Sequence, residues 1–291
     1  MPAEQSPIMP RRRLATELRR LRDEAGLTLE DVAESLLIST SKLSRLENAQ
    51  GSPQPRDVRD LIRHYGIDGT QLAGKLMRWV NSSRRQGWWA DYTHTMERGL
   101  DGYVAYESEA SVARVYTIPV LPVLLQTAEY ARAQYEGMEP WRSPSEVEQL
   151  VQLRIRRQDA LKTREGMAPL TLVAVTHECA VRQWVGTAET MHAQLDQLIE
   201  RSTEPNIELR VLPFTAQPSF TSTCMYAYFE FSDALDRDVV HIETHAGFRH
   251  IETPESVHQY RRHFDRLYSS ALTPDDSRAL IRSVQSAQFA K

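Results

Sequence analysis

The chain has 291 residues, 41% of them apolar and 25% charged, with a net charge of −4. That balance is the composition of an ordinary globular protein with room for two domains, and no internal repeat or low-complexity tract disturbs it. No run approaches the roughly 18 apolar residues a membrane-spanning helix needs, and the basic first thirteen residues have no apolar core of a secretory leader. Cys179 and Cys224 lie far apart without a CxxC pattern, so they read as reduced thiols rather than a disulfide or zinc framework. A cytoplasmic protein with no membrane partner is expected.

Residues 1–10, rich in proline and without periodicity, read as a disordered arm. Leu14, Leu18, Leu21 and Ala25 then mark the buried stripe of a helix from about Arg11 to Ala25, which Gly26 ends. Thr28 caps a second helix, with Asp31 three residues on as a weak capping box, and Leu29, Val32, Ala33 and Leu36 on one side. Ser39 or Thr40 caps a third, with Leu43 and Leu46 inward. Val58, Leu61, Ile62 and Tyr65 mark a fourth helix, and Leu72, Leu76, Met77 and Val80 a fifth.

Beyond residue 75 the pattern changes. Tryptophans, tyrosines and arginines crowd residues 78–106, Glu107–Tyr116 has mixed period, Gln126–Tyr135 is helical, and Ser143–Lys162 reads as a long charged helix whose inner face carries Val147, Leu150, Val151, Arg154 and Leu161. Strands are expected at Leu170–Val175, Asn206–Leu212, Cys224–Phe231 and Val239–His245, and helices at Glu178–Trp184, Ala188–Arg201, Pro254–Ala271 and Thr273–Gln285. The expected class is α+β: a five-helix N-terminal domain (1–74), a helical aromatic-rich connecting region (75–165), and an α+β regulatory or dimerisation domain (166–291) in which helices pack on a small mixed or antiparallel sheet.

The stretch Thr28–Asn48 carries the chemistry. With the leucines inward, the third helix turns Thr40, Ser41, Lys42, Ser44 and Arg45 outward, a surface of short hydroxyls and cations suited to a DNA major groove. Residues 1–70 carry eleven basic and eleven acidic groups, so distribution matters more than sum. The run Gly26-Leu27-Thr28, Asp31-Val32-Ala33 and Ile38 through Asn48 resembles the XRE family of prokaryotic repressors, the Cro and cI type. The resemblance implies that Thr40, Ser41 and Arg45 face base edges, and that Lys42, Ser44 and Asn48 reach phosphates, with Thr28 opening the helix that also touches them. Arg45 has an alternative, an internal pair with Glu47 or Glu34, and the Arg11, Arg12 and Arg13 cluster is either a phosphate contact or a solvated face. Leu29 stands where the family often has glutamine, and Leu37 where its turn commonly has glycine. A left-handed Leu37 costs roughly 1–2 kcal/mol, so a reshaped turn is expected.

Downstream, Tyr106-Glu107-Ser108-Glu109-Ala110, Val120 through Thr127, Arg154–Gln158, Val211-Leu212-Pro213-Phe214 and Phe264-Asp265-Arg266-Leu267 resemble the C-terminal domain of WhiJ-like actinobacterial regulators. The resemblance implies an antitoxin-like arrangement with a small neighbour-encoded protein partner. The aromatic residues Trp88, Trp89, Tyr92 and Tyr106 are candidates for a partner or ligand surface, with structural core as the alternative. His241, Glu243 and His245 share one face if residues 239–245 form a strand, but their spacing is not that of a zinc protease. His177-Glu178-Cys179 has no recognisable orienting partner. No catalytic group, cofactor or metal is expected. The reading is a sequence-specific regulator of transcription that binds a near-palindromic operator on double-stranded DNA as a homodimer, with control by a small protein or, alternatively, by a small molecule.

Overall fold

A computed structural model describes residues 7–289 except 163, 165–166, 217–223, 234–235 and 245–246. Contacts divide the chain into two compact units, one of residues 1–90 with 233–236 and one of residues 91–232 with 237–291.

The first unit is all-helical: α1 (Ile8–Glu24), α2 (Leu29–Ser35), α3 (Thr40–Glu47), α4 (Pro55–His64) and α5 (Gln71–Ser82). Leu14, Leu18 and Leu21 of α1 meet Val32, Leu43, Leu61 and Leu76 in one core, and these are the stripes that the three-and-four spacing marks. The expected arm at 1–10 is corrected at its inner end. Helix α1 already begins at Ile8, with Met9 and Pro10 buried; proline is tolerated in a first turn, whose amides have no helical partner. Residues 1–6 lie outside the described residues.

The second unit is α+β. Among the described residues its sheet has six strands in the order β3-β2-β1-β4-β5-β6. They are β1 (Val112–Thr117), β2 (Thr171–His177), β3 (Ile207–Leu212), β4 (Tyr226–Glu230), β5 (Val239–Thr244) and β6 (Gly247–Ile251). β1, β2 and β3 run parallel, and β4, β5 and β6 continue antiparallel. The helices are α6 (Leu100–Glu109), α7 (Ala128–Met138), α8 (Pro144–Arg157), α9 (Glu178–Arg182), α10 (Ala188–Arg201), α11 (Pro254–Ser270) and α12 (Pro274–Gln288). α7 and α8 lie in the crossover from β1 to β2, and α9 and α10 in that from β2 to β3, as parallel strands require.

One face of this sheet carries Tyr116, Val175, Tyr228 and Val240, which pack on Val257, Phe264 and Leu267 of α11. Val115, Thr117, Ala227, His241 and Glu243 belong to the opposite face, where Thr117 donates to the Thr176 hydroxyl at 2.8 Å. β1 pairs with β2 and β4 at the centre of the sheet, so the stretch read as a connecting region supplies a central strand. It does not stand apart from the sheet.

Candidate nucleic-acid interface

Local chemistry builds the helix-turn-helix. The Thr28 hydroxyl accepts from the Asp31 amide at 3.1 Å, and the Asp31 carboxylate accepts from the Thr28 amide at 2.8 Å, a complete capping box. Those hydrogen bonds from Thr28 hold the Asp31 carboxyl below the usual aspartate range. After α2 the chain turns through Leu37 at φ +54°. The expected reshaping does not occur: the left-handed residue lets the Ile38 amide return to the Ala33 carbonyl at 3.0 Å and the Leu37 amide to Glu34 at 3.2 Å. This is the Schellman closure that usually recruits glycine, and here the Leu37 side chain is left 92% exposed.

Ser39 caps α3 by accepting from the Lys42 amide at 3.2 Å. Two ion pairs then orient the helix. The Arg22 guanidinium of α1 donates from Nε to Glu47 Oε1 at 2.8 Å and from Nη2 to Oε2 at 2.9 Å, a forked pair almost closed to solvent. Hydrogen bonding to Glu47 raises the Arg22 pKa still further. On the other side Lys42 Nζ donates to Asp57 of α4 at 2.8 Å. With Leu43 buried between them and Leu46 packed on the same core, α3 is held at both flanks and its hydroxyls and Arg45 face outward.

Ser41, Arg45 and Asn48 are exposed, and Thr40 and Ser44 half-exposed. Among the described residues the Arg45 side chain makes no ion pair or hydrogen bond, because Glu47 is already taken by Arg22. Arg45 and Arg11 line a common groove of about 720 Å³, counting its open mouth, together with Lys42, Asp57 and the 52–54 loop. A guanidinium with its five donors uncommitted, flanked by two hydroxyls on a rigid helix, can make the forked contact that guanine offers in the major groove.

The residues expected at phosphates are more constrained. The Thr28 hydroxyl is engaged by Asp31, Lys42 by Asp57, and the Asn48 amide donates back to the Ser44 carbonyl at 2.8 Å, satisfying the end of α3. Arg11 donates to the Ser83 carbonyl at 3.3 Å, and both Arg11 and Arg12 are half-buried. Arg13 pairs with Asp236 of the same unit. The Arg22–Glu47 pair escapes a reading by motif, although Glu47 falls four residues after Leu43 on the buried stripe. A carboxylate there needs a buried cation.

The profile of a helix-turn-helix domain family matches residues 13–73. A second profile, described as a domain of unknown function, DUF5753, matches residues 100–283. The chain belongs to the DUF5753 family. Its first unit is a helix-turn-helix DNA-binding domain, and the whole is a DNA-binding regulator. Comparison with curated proteins and with solved structures gives no match. No helix among the described residues is long and apolar enough to cross a membrane.

The proposed aromatic surface is corrected. Trp88 and Trp89 belong to the first unit, Tyr92 and Tyr106 to the DUF5753 unit. Trp89 is buried, stacked edge-on against Trp88 at 5.8 Å. Tyr106 is buried too, donating to Glu252 at 2.8 Å and packing on His241. Large rings gain more from burial than from water contact, so these two are core. His241 is 1% exposed among Tyr103, Tyr106, Phe229 and His250, while His245 lies outside the described residues.

The His177–Cys179 pair is also structural. The His177 Nδ1 accepts the Cys179 backbone amide at 3.2 Å and caps α9, and burial pushes the Cys179 thiol up, away from thiolate. Glu178 accepts from Arg182 at 2.7 Å and from the Phe214 amide at 2.8 Å.

Proposed function

We propose that this DUF5753 protein is a sequence-specific regulator of transcription that binds a near-palindromic operator as a homodimer. The observation that carries the reading is Arg45: an exposed guanidinium without an internal partner among the described residues, on a helix held by Arg22–Glu47 and Lys42–Asp57. Thr40, Ser41 and Arg45 read bases, and Ser44, Asn48, Arg11 and Arg12 meet phosphate. Helix α3 has eight residues, about 12 Å at 1.5 Å per residue, enough for only a few base pairs. Two copies one DNA turn apart supply the missing specificity, and the DUF5753 unit is the part available to bring them together.

The resemblance to WhiJ-like regulators supports control by a small neighbour-encoded protein docking on the DUF5753 unit. A second reading, control by a small molecule, is favoured by the cavity of that unit.

Selection from a random DNA library by the full-length protein, followed by light scattering of the complex, tests the proposal. The expected result is one enriched inverted repeat bound by two chains, with affinity falling steeply as salt rises. Enrichment of no sequence, or binding of one chain to an asymmetric site, contradicts it.

A further inference from the structure

Beneath α6, α7 and α8, the DUF5753 unit encloses a cavity of about 910 Å³, counting its open mouth. Its enclosed part is about 80 Å³, so a bound molecule sits partly in the mouth. Much of the wall is apolar, with Leu100 and Tyr103 of α6, Val115 of β1, Leu124, Met225 and Phe248.

Two arginines of α8 reach this cavity, and they are treated differently. Arg157 is fully matched: Nε and Nη2 donate to the two oxygens of Glu107 at 2.7 and 2.9 Å. Arg154, one turn earlier, is just as buried, at 7% exposure, yet among the described residues no carboxylate forms an ion pair with it. Neutral amides hold it instead. Its Nη1 donates to Gln126 Oε1 at 2.6 Å and to Gln134 Oε1 at 3.0 Å, and its guanidinium carbon stacks 4.3 Å from the centroid of Tyr135. Among the described residues the buried Nε has no hydrogen-bond partner.

The cradle is itself braced. Gln126 Nε2 donates to the Leu121 carbonyl at 2.7 Å, and Gln158 donates to the Gln126 carbonyl at 2.7 Å. A guanidinium kept rigid and dry, with no carboxylate bonded to it among the described residues, is a preorganised receptor for an oxyanion, because its desolvation is only fully offset when an anion is bonded to it.

Four carboxylates share the wall. Glu107 is neutralised by Arg157, and Glu139 is bonded to Arg142. Burial raises the pKa of both Glu97 and Glu243; Glu139 and Glu243 add to the rise at Glu97, whereas Arg154 and Arg157 oppose it at Glu243. In both, burial disfavours the charged form that would repel an incoming anion.

We infer that the cavity binds a small organic acid, its carboxylate on Arg154 and its apolar body against Tyr103, Leu124 and Val115. The inference deepens the small-molecule reading of control and rests on it only for the consequence to DNA binding.

The test uses the full-length protein with 3-phenylpropanoate and octanoate, their primary amides, and phenethylamine. Thermal shift and saturation-transfer NMR report binding without DNA. Both acids are expected to raise the melting temperature and give saturation transfer at roughly millimolar concentration, with amides and amine at least about tenfold weaker. Arg154→Gln should remove acid binding by a similar factor. Because Arg154 also anchors the glutamines, Ala227→Leu provides an independent variant that fills the cavity without touching that network, and it should abolish binding as well. The inference fails if neither acid binds, if the amides or amine bind as well as the acids, or if folded Arg154→Gln or Ala227→Leu protein binds acid like wild type. Acid binding that leaves operator affinity unchanged would confirm the site and remove its regulatory role.

Discussion

Replacing Arg22 with methionine removes the fork that reaches Glu47 from α1. The Glu47 side chain is 3% exposed and that of Arg22 11%, so water cannot substitute for the lost partner. Breaking a buried ion pair on one side costs about 3–5 kcal/mol, and the lost donation from Arg22 to the Leu27 carbonyl at 2.9 Å adds about 1 kcal/mol. A helical unit of this size has a total stability of roughly 5–13 kcal/mol, so Arg22→Met should leave α1 and α3 opening far more often. Replacing Glu47 with methionine as well removes the stranded carboxylate, and the double variant should recover most of the loss. Hydrogen–deuterium exchange of the α1 and α3 amides is the right assay, because a two-unit chain has no single unfolding free energy. If Arg22→Met slows or barely changes exchange of α3, within about 1 kcal/mol of wild type, the pair does not hold the reading helix. If the double variant is as unstable as the single, the stranded charge is not the cause.

Arg45→Ala should cost roughly 1–3 kcal/mol of operator affinity and relax preference at one position; unchanged selection profiles would rule out Arg45 as a base reader. Leu37→Gly should stabilise the first unit by about 0.5–1 kcal/mol, the left-handed penalty of a side chain that packs on nothing, less the backbone entropy of glycine; chemical denaturation followed by exchange at α2 and α3 measures it. Asp31 has a lowered pKa, so its contribution to α2 is complete above the ordinary aspartate range, near 3.9, and is lost as pH falls through the lower folded value; Asp31→Asn should flatten that acid-side dependence of α2 amide protection. Glu243 has a raised pKa, so its penalty grows as pH rises past the ordinary glutamate value of about 4.3 and levels off above the folded value. Glu243→Gln should therefore raise the melting temperature at pH 7.5 and change it little at pH 4; equal gains at both would refute a charge origin.

What was legible in the sequence was whatever is decided within one turn of chain. The Thr28–Asp31 box, the Ser39 cap and the Gly26 stop place the first three helices, since their hydrogen bonds join residues three to five apart. Helix α10 runs Ala188–Arg201 as its periodicity indicates. The stretch read as mixed at Glu107–Tyr116 hid the end of α6 and most of β1. α6 buries residues around most of its circumference, and β1 is paired on both edges and covered on both faces. Neither displays the half-wet stripe on which a periodic reading depends. Short β6, with adjacent Arg249 and His250 both exposed at the sheet edge, gave no clear alternation either.

The candidate interface divides in the same way. That α3 turns hydroxyls and cations outward follows from the spacing of Leu43 and Leu46. Which arginine takes Glu47 does not, because Arg22 and Arg45 lie on different helices and only their packing decides that the carboxylate faces α1. The same limit applies in the DUF5753 unit: Arg154 and Arg157 are neighbours on one helix, and nothing local tells them apart. Glu107 arrives from α6 beside one, and two glutamines beside the other, so the pairing of buried charge is set by tertiary contacts that sequence periodicity does not encode.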